Sequence, residues 1–140
     1  MPGPYPVGMA IRSDPSTWTD PRHRRGVEGE RIAKTFLQLR GWTILEHRFR
    51  LGRWEVDLIA RRRGVIAFVE VKTRSSHQFG SPVDAVTWAK KREVARVARG
   101  WVDRFGGPAW TYRFDVIGVT MTAEGPLVQH VESAFWVGWR

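Results

Sequence analysis

The chain has 140 residues, enough for one domain with a hydrophobic core, and 42% of them are hydrophobic. It contains no cysteine, which excludes disulfides and thiolate metal sites, and no apolar run approaches the roughly 20 residues of a membrane span. The net charge of +9 favours polyanionic partners, although the codon bias of a GC-rich genome, indicated by only four lysines among 23 basic residues, would also produce it.

The N-terminal segment Met1–Arg25 is rich in Pro, Gly, Arg and Asp and has little periodicity. This composition predicts a disordered basic tail, followed by a single domain over residues 26–140. The N-terminus lacks the apolar stretch of a signal peptide. We therefore expect a cytoplasmic protein with no membrane partner.

Val27–Arg40 is predicted to form the first helix, because Ile32, Ala33, Phe36 and Leu37 recur at helical spacing. Gly41 follows as a residue that ends helices. Glu30 lies on the edge of the apolar stripe and has two interpretations. It is either a first-turn acid that suits the helix dipole, or a side chain that reaches the end of the sheet if this helix covers it.

Three strands are predicted next, over Trp42–Phe49, Trp54–Ala60 and Val65–Arg74. The third is almost entirely apolar up to Val71, apart from Glu70, which is typical of a strand buried on both faces. Glu70 and Lys72 are two residues apart, so both project from the same side of the strand. Because charges on a core strand are usually paired or bind metal, these two residues are the first functional candidates.

The hairpin between the second and third strands predicts how the acids are arranged. A two-residue turn at Arg62-Arg63 would place Glu55 opposite Glu70, with Asp57 on the diagonal, roughly 7–8 Å from Glu70 at the backbone. Four charged residues would then share one face: Glu55, Asp57, Glu70 and Lys72. Two carboxylates at that separation can converge on a cation, and Glu55 is a possible additional acid.

The segment Thr73–Val86 is predicted as a loop with one helical turn near its end, and Thr87 as the N-cap of a second helix, Trp88–Phe105. Basic residues at the start of a helix oppose its dipole. Their presence there indicates either a phosphate-facing surface or a solvated face. The residues expected to contact nucleic acid are Arg74, Lys90, Lys91 and Arg92.

Two further strands are predicted over Thr111–Met121 and Leu127–Trp136, with Asp115 pairing with Arg113 or ending a network. The order of helices and strands predicts an α/β fold, a mixed β-sheet with a helix on either side.

An Asp thirteen residues before Glu-x-Lys, on paired strands, is typical of a divalent-metal site that hydrolyses phosphodiesters. Asp57, Glu70 and the Val71 carbonyl would hold Mg²⁺ or Mn²⁺. Lys72 would orient the attacking water or stabilise the negative charge that develops on the phosphate. The four histidines lack metal-ligand spacing, and neither a nucleotide-binding glycine loop nor a G-x-S-x-G elbow is present.

The sequence resembles the YraN-like family of small bacterial proteins. The segments that carry the resemblance are G-V-E-G-E-R-I-A (26–33), E-V-D-L-I-A (55–60), F-V-E-V-K-T-R (68–74), F-G-S-P (79–82), A-V-T-W-A-K (85–90) and R-F-D-V (113–116). The resemblance implies the restriction-endonuclease-like fold of the PD-(D/E)XK superfamily, as in Holliday-junction resolvases. It also implies catalytic positions at Asp57, Glu70 and Lys72, and at Glu30 as the helix acid.

The sequence departs from the family where Arg53-Trp54 replaces the usual Gly-Gly, which narrows access to the site, and where Arg48-Phe49-Arg50 replaces Asn-aromatic-Arg. Three functions are left open. One is an Mg²⁺-dependent endonuclease acting on DNA, branched or single-stranded; the others are a non-cleaving nucleic-acid-binding module and a structural or partner-binding protein. Resolvase-like relatives act in pairs, which implies a homodimer.

Overall fold

The structure, a computed structural model, describes residues 21–75 and 80–137, which form two α-helices, a 3-10 turn and five strands. In chain order these are α1 (Pro21–Leu39), β1 (Thr43–Leu51), β2 (Trp54–Arg62), β3 (Val65–Ser75), the 3-10 turn (Pro82–Ala85), α2 (Trp88–Phe105), β4 (Thr111–Thr122) and β5 (Gly125–Phe135). Within these ranges, neither helix is long and apolar enough to cross a membrane.

The strands lie side by side in one sheet, in the same order as in the chain. β3 and β4 run parallel, whereas the other neighbouring pairs are antiparallel. A parallel pair requires a crossover connection, which α2 and the 3-10 turn provide. The predicted mixed sheet is confirmed.

Each face of the sheet is covered by one helix. On one face, Ala33 and Leu37 of α1 pack with Leu58 and Val69. On the other, residues of α2 that include Val94, Val97 and Trp101 pack with Val56, Ile66, Phe68 and Phe114. Burial of β3 against both layers explains its apolar sequence. The arrangement confirms an α/β, restriction-endonuclease-like fold with helices on both sides.

The two helices differ in how well local signals define them. α2 has the predicted bounds, because the Thr87 hydroxyl accepts a hydrogen bond from the Lys90 amide (3.1 Å) and Gly106 ends the helix. α1 begins at Pro21, six residues before the predicted start, so residues 21–25 belong to the helix rather than to the predicted tail. The remainder of that tail, residues 1–20, lies outside the described residues.

The turn between β2 and β3 is displaced by one residue from its predicted position. Its central residues are Arg63 and Gly64, with φ of 49° and 78°. Positive φ at both positions is the requirement of a type I′ hairpin, for which glycine is well suited. The predicted turn at Arg62-Arg63 and the pairing of Glu55 with Glu70 are therefore wrong. The pairing partner changes by two residues, so each side chain keeps its predicted face.

Two glycines allow other elements to approach the end of β3 closely. A Cβ on Gly29 of α1 would overlap Oγ1 of Thr73, and a Cβ on Gly118 of β4 would lie 2.6 Å from Cβ of Pro82 in the 3-10 turn. Gly118 is the neighbour of Lys72 across the parallel pair. α1 and the 3-10 turn thus meet the sheet beside the predicted catalytic residues.

Candidate active site

Asp57 and Glu70 lie beside each other at the end of the β2–β3 pairing. The register runs from Arg62–Val65 to Leu58–Val69, and Asp57 and Glu70 are the next residues. The Asp57 amide donates to Glu70 Oε1 (3.3 Å), and the Val71 amide donates to Asp57 Oδ2 (2.8 Å). The two carboxylates therefore accept backbone hydrogen bonds where the two strands separate.

Both carboxyl groups are buried, with exposed fractions of 9% for Asp57 and 2% for Glu70. Burial, with the Glu30 charge adding to it, raises the pKa of Asp57 to about 7, against the opposing effects of the Val71 amide and Lys90. Burial and then the Asp57 charge also raise the pKa of Glu70 well above its usual value. Burial therefore favours the protonated form of both acids, and a bound cation would favour the ionised form.

Lys72 lies two residues beyond Glu70 on the same face of β3 and is half-buried. Its positive charge acts to lower the pKa of Glu70. Among the residues described, none forms a hydrogen bond or salt bridge with its ammonium group. Lys72 thus lies on the predicted face of β3, close enough to Glu70 for its charge to act on that carboxylate, and its role toward a ligand stays a prediction.

Glu30 is placed at the same end of the sheet by the close contact between α1 and β3. Its carboxylate accepts hydrogen bonds from His47 Nε2 (2.9 Å) and from Arg48 Nε (2.7 Å) and Nη2 (3.0 Å). Burial acts to raise its pKa, but these hydrogen bonds outweigh burial and keep the pKa below the usual value. Glu30 is therefore an ionised side chain held by β1, and its charge reaches Asp57.

Arg48 belongs to the site and was not predicted. Successive strand residues normally point to opposite faces, yet His47 and Arg48 both contact Glu30. Arg48 has φ of 55°, a left-handed conformation that is unfavourable for a residue with a Cβ. This local turn in β1 brings both side chains to α1. Nothing in the local sequence indicates it.

Lys90 is predicted as a phosphate contact, but its ammonium lies inside the acidic site. Nζ is 2.9 Å from Glu93 Oε2, 3.0 Å from the Glu55 carbonyl oxygen and 3.9 Å from Glu70 Oε2. Burial acts to lower the pKa of Lys90, but the charge of Glu70 and the hydrogen bond to Glu93 raise it above the usual value. Only four of the 23 basic residues are lysine, so the use of lysine rather than arginine at position 90 is the signal that could have identified it.

Glu55 contributes its backbone to the site rather than its carboxylate. Its carboxylate faces Arg50, its partner in the β1–β2 register, at 3.1 Å. Its carbonyl oxygen accepts from Lys90, and its amide donates to Glu93 Oε2 (3.2 Å). The Glu55 carboxylate is therefore not placed as an additional acid of the site, and its charge only adds to the rise in the pKa of Asp57.

The other residues predicted to contact nucleic acid point in different directions. Lys91 lies near Phe135 of β5, with Nζ 5.7 Å from the ring centre, whereas Arg92 lies beside Trp54. Consecutive helix residues do not share a face, so the basic cluster is divided among three surfaces. Arg74 extends from β3 beyond Lys72, and its buried Nε has no hydrogen-bond partner within the described ranges.

The donor set fits a hard divalent cation that retains water. Within residues 21–75 and 80–137, no three His, Asp or Glu side chains come together as a closed metal cage. Two oxygen donors, Asp57 and Glu70, with the adjacent Val71 peptide, match the way Mg²⁺ is held by one or two carboxylates and several waters. A cation held there would lower the pKa of both acids, which burial raises.

Comparison with known proteins agrees with the resemblance found in the sequence. The family model described as "Uncharacterised protein family UPF0102", the YraN family, matches residues 29–119. A UPF0102 protein of Chlorobium chlorochromatii is 44% identical over 118 residues, covering 80% of this chain and 91% of that protein. One from Geobacter metallireducens is 39% identical over 110 residues, covering 79% and 90%. The chain therefore belongs to the uncharacterised protein family UPF0102.

Proposed function

We propose that this protein is a metal-dependent nuclease that hydrolyses phosphodiester bonds in DNA. The observation that carries the proposal is the pair of buried carboxylates, Asp57 and Glu70, with raised pKa values beside two lysines. Perturbed acids in this arrangement are typical of functional sites, because a fold does not gain stability from burying them.

Asp57 and Glu70, with the Val71 carbonyl, would bind Mg²⁺ or Mn²⁺. A bound ion of this kind would supply Lewis-acid stabilisation of phosphoryl oxygens and acidify a coordinated water. The carboxylates must be deprotonated to bind it, so the pKa of about 7 predicts that binding strengthens as pH rises through neutrality.

Lys72 would stabilise the negative charge that develops on the phosphate, because its ammonium is beside the acids and is not committed to a described partner. Lys90 would position Glu70, since it is fixed by Glu93 and the Glu55 carbonyl. Arg48 holds Glu30 and keeps it ionised. Glu30 would then strengthen the local negative potential that attracts a cation.

A second candidate is a non-cleaving nucleic-acid-binding module on the same fold. The observation that favours it is the Lys90 ammonium 3.9 Å from Glu70, which already supplies part of the positive charge that a metal would bring. In the third alternative, a structural or partner-binding protein, the acids would serve only as members of a buried ion network.

Cleavage of single-stranded, duplex, flap and four-way DNA, with Mg²⁺ or Mn²⁺ against a chelator, tests the proposal. We expect metal-dependent cleavage of at least one substrate. The absence of both cleavage and Mn²⁺ binding in calorimetry would favour the binding module.

Two variants separate the roles within the site. Asp57→Ala should lose both Mn²⁺ affinity and cleavage, because too few oxygens remain to hold a hard cation. Lys72→Ala should still bind Mn²⁺ but cleave about 10²–10³-fold more slowly in single-turnover assays, the range for loss of one electrostatic contact. Asp103→Ala, which removes an exposed acid of α2, is the control. Undiminished cleavage by Asp57→Ala would contradict the assignment.

The homodimer stays a prediction. The aromatic residues near the C-terminus that are expected to form its contact are Trp136, which follows the edge strand β5 and is 64% exposed, and Trp139, which lies outside the described residues. Sedimentation at high micromolar concentration tests it, with Trp136→Ser as the variant expected to shift the protein to monomer.

A further inference from the structure

A cleft of about 300 Å³ lies between the β1–β2 hairpin and the first turns of α2. It is lined by Arg53, Trp54, Ala89, Arg92, Glu93 and Arg96. Its size is at the lower end of the range for small-molecule sites, which suits one nucleotide.

The cleft is electropositive. Three of its lining residues carry guanidinium groups, and Arg53, Arg92 and Arg96 are all exposed. The single carboxylate, Glu93, is already engaged by the Lys90 ammonium (2.9 Å) and the Glu55 amide (3.2 Å). Its charge is therefore largely offset, and the cleft can bind an anion such as a phosphate group.

Trp54 gives the cleft an aromatic wall in a fixed position. The indole is half-buried and packs against the hydrophobic core formed with α2. The guanidinium carbons of Arg96 and Arg53 lie over the indole, 4.8 and 5.6 Å from its ring centre, so a base that stacks there takes the place of a guanidinium group. An indole beside guanidinium groups is the combination with which proteins stack unpaired bases and hold the adjacent phosphate.

The cleft adjoins the acidic site. Glu93 lines the cleft and contacts Lys90, whose Nζ lies 3.9 Å from Glu70. A strand seated in the cleft would therefore continue toward Asp57 and Glu70.

We propose that this cleft binds one unpaired nucleotide of the nucleic-acid strand that enters the acidic site. The base displaces the Arg96 guanidinium from the indole and stacks on Trp54, and the guanidinium groups of Arg92 and Arg96 then contact the phosphate. A base inside a duplex is already stacked on its neighbours, so the cleft selects substrates with a single-stranded segment. This inference rests on the proposed function and identifies its substrate class.

Binding of a labelled oligothymidylate and of a blunt-ended duplex without unpaired bases, measured by fluorescence anisotropy in chelator, tests the proposal without cleavage. Trp54→Leu should weaken single-strand binding about 5- to 150-fold, the range for one stacked base, and leave duplex binding unchanged. Trp54→Phe should restore most of the loss, because the ring is retained. A change in folding alone would affect both ligands and would not be reversed by Phe.

A charge-matched pair of double variants tests the phosphate contact. Arg92→Gln with Arg96→Gln should reduce the slope of log affinity against log salt by about 1.4, at about 0.7 per contact on a single strand. Arg63→Gln with Arg104→Gln removes the same charge from exposed positions away from the cleft and should leave the slope unchanged.

The outcomes distinguish the cleft from the nuclease. If Trp54→Leu and the Arg92/Arg96 double variant leave single-strand binding unchanged, the proposed role of the cleft is overturned, whereas the proposed nuclease function is unaffected. Loss of binding in these variants, with no cleavage by the unaltered protein, would support the cleft and reject the nuclease. Polyglutamate and unlabelled oligothymidylate can each be tested as competitors for the labelled oligonucleotide. If polyglutamate displaces it as readily, the nucleotide-binding role of the cleft is overturned in favour of an acidic protein partner.

Discussion

Two buried acidic sites on this sheet, Asp115 and the pair Asp57 and Glu70, are stabilised very differently. Asp115 of β4 is fully buried and accepts hydrogen bonds from Arg113 Nε (3.0 Å), His130 Nε2 (2.7 Å) and the Ser133 amide (3.0 Å). Within the described part of the chain, the Asp57 and Glu70 carboxylates each accept one backbone hydrogen bond, and the nearest ammonium pairs with Glu70 at 3.9 Å.

The difference separates an acid whose charge is satisfied within the fold from two acids whose charges are not. A buried carboxylate with a guanidinium partner and several donors is satisfied within the protein. Two neighbouring carboxylates with one amide each are not, and the fold tolerates them at a cost in stability. The proposed metal site would offset that cost when the ion binds.

The largest expected effect comes from removing the satisfied acid. Asp115→Ala should lower the free energy of unfolding by about 3–5 kcal/mol, because it leaves the Arg113 guanidinium in a partly buried position without its main partner. Urea unfolding measures this change. Glu124→Ala, at the exposed β4–β5 turn, is the control, and a loss below about 1 kcal/mol for Asp115→Ala would remove the contrast.

Asp57→Asn is expected to change the free energy of unfolding by less than Asp115→Ala does, and in the stabilising direction. Its pKa of about 7 in the folded state exceeds its usual value of 3.8, so between these values the folded protein retains a proton that the unfolded chain has lost. This contribution to stability is present below pH 4 and is lost as pH rises through 7. Metal-free Asp57→Asn should therefore be more stable than the unaltered protein at pH 7.5, on the order of 2 kcal/mol.

Urea unfolding at pH 5 and pH 7.5 measures the effect of Asp57→Asn. The advantage of the variant should shrink at pH 5, where the carboxyl of the unaltered protein is protonated. The same advantage at both pH values would mean that titration of Asp57 is not its source.

The smallest change in the free energy of unfolding is expected from a substitution of Lys90. Lys90→Gln removes the positive charge that opposes the rise in pKa of both acids, so it should destabilise the metal-free protein by about 1 kcal/mol at pH 8 and by less at pH 5. Unfolding at the two pH values, with Lys34→Gln as the control, measures the difference. An equal loss at both would show that Lys90 acts only through its hydrogen bonds.

The sequence predicted the elements better than the contacts between them. α2 was placed correctly because Thr87 and Gly106 act locally, and the burial of β3 follows from its apolar run. The predicted β2–β3 turn is displaced by one residue, because Arg63-Gly64 has a glycine to take the positive φ of a type I′ turn and Arg62-Arg63 has none.

The site was predicted where it depends on the spacing within β2 and β3. Asp57, Glu70 and Lys72 share a face because side chains alternate between the two faces along each strand, which is a local property. The predicted β2–β3 pairing is wrong by two residues, and a shift of two leaves every side chain on the same face. The position of Lys90 depends on how α2 lies across the sheet, and the contact of Arg48 with Glu30 depends on one left-handed residue. Neither is encoded by a local pattern.

The parallel pairing of β3 with β4 has a consequence for the order of folding. Asp57 and Glu70 are 13 residues apart and meet through a hairpin, whereas Lys90 and the Glu55 carbonyl are 35 residues apart and meet only when the crossover has closed. Contacts between residues close in sequence form sooner, because less chain entropy is lost. We therefore expect the two carboxylates to come together before the Lys90 ammonium arrives, and their repulsion to slow the early hairpin. Mild acid should accelerate this step, so the charges that prepare the site for a ligand also limit how fast the chain reaches its native state.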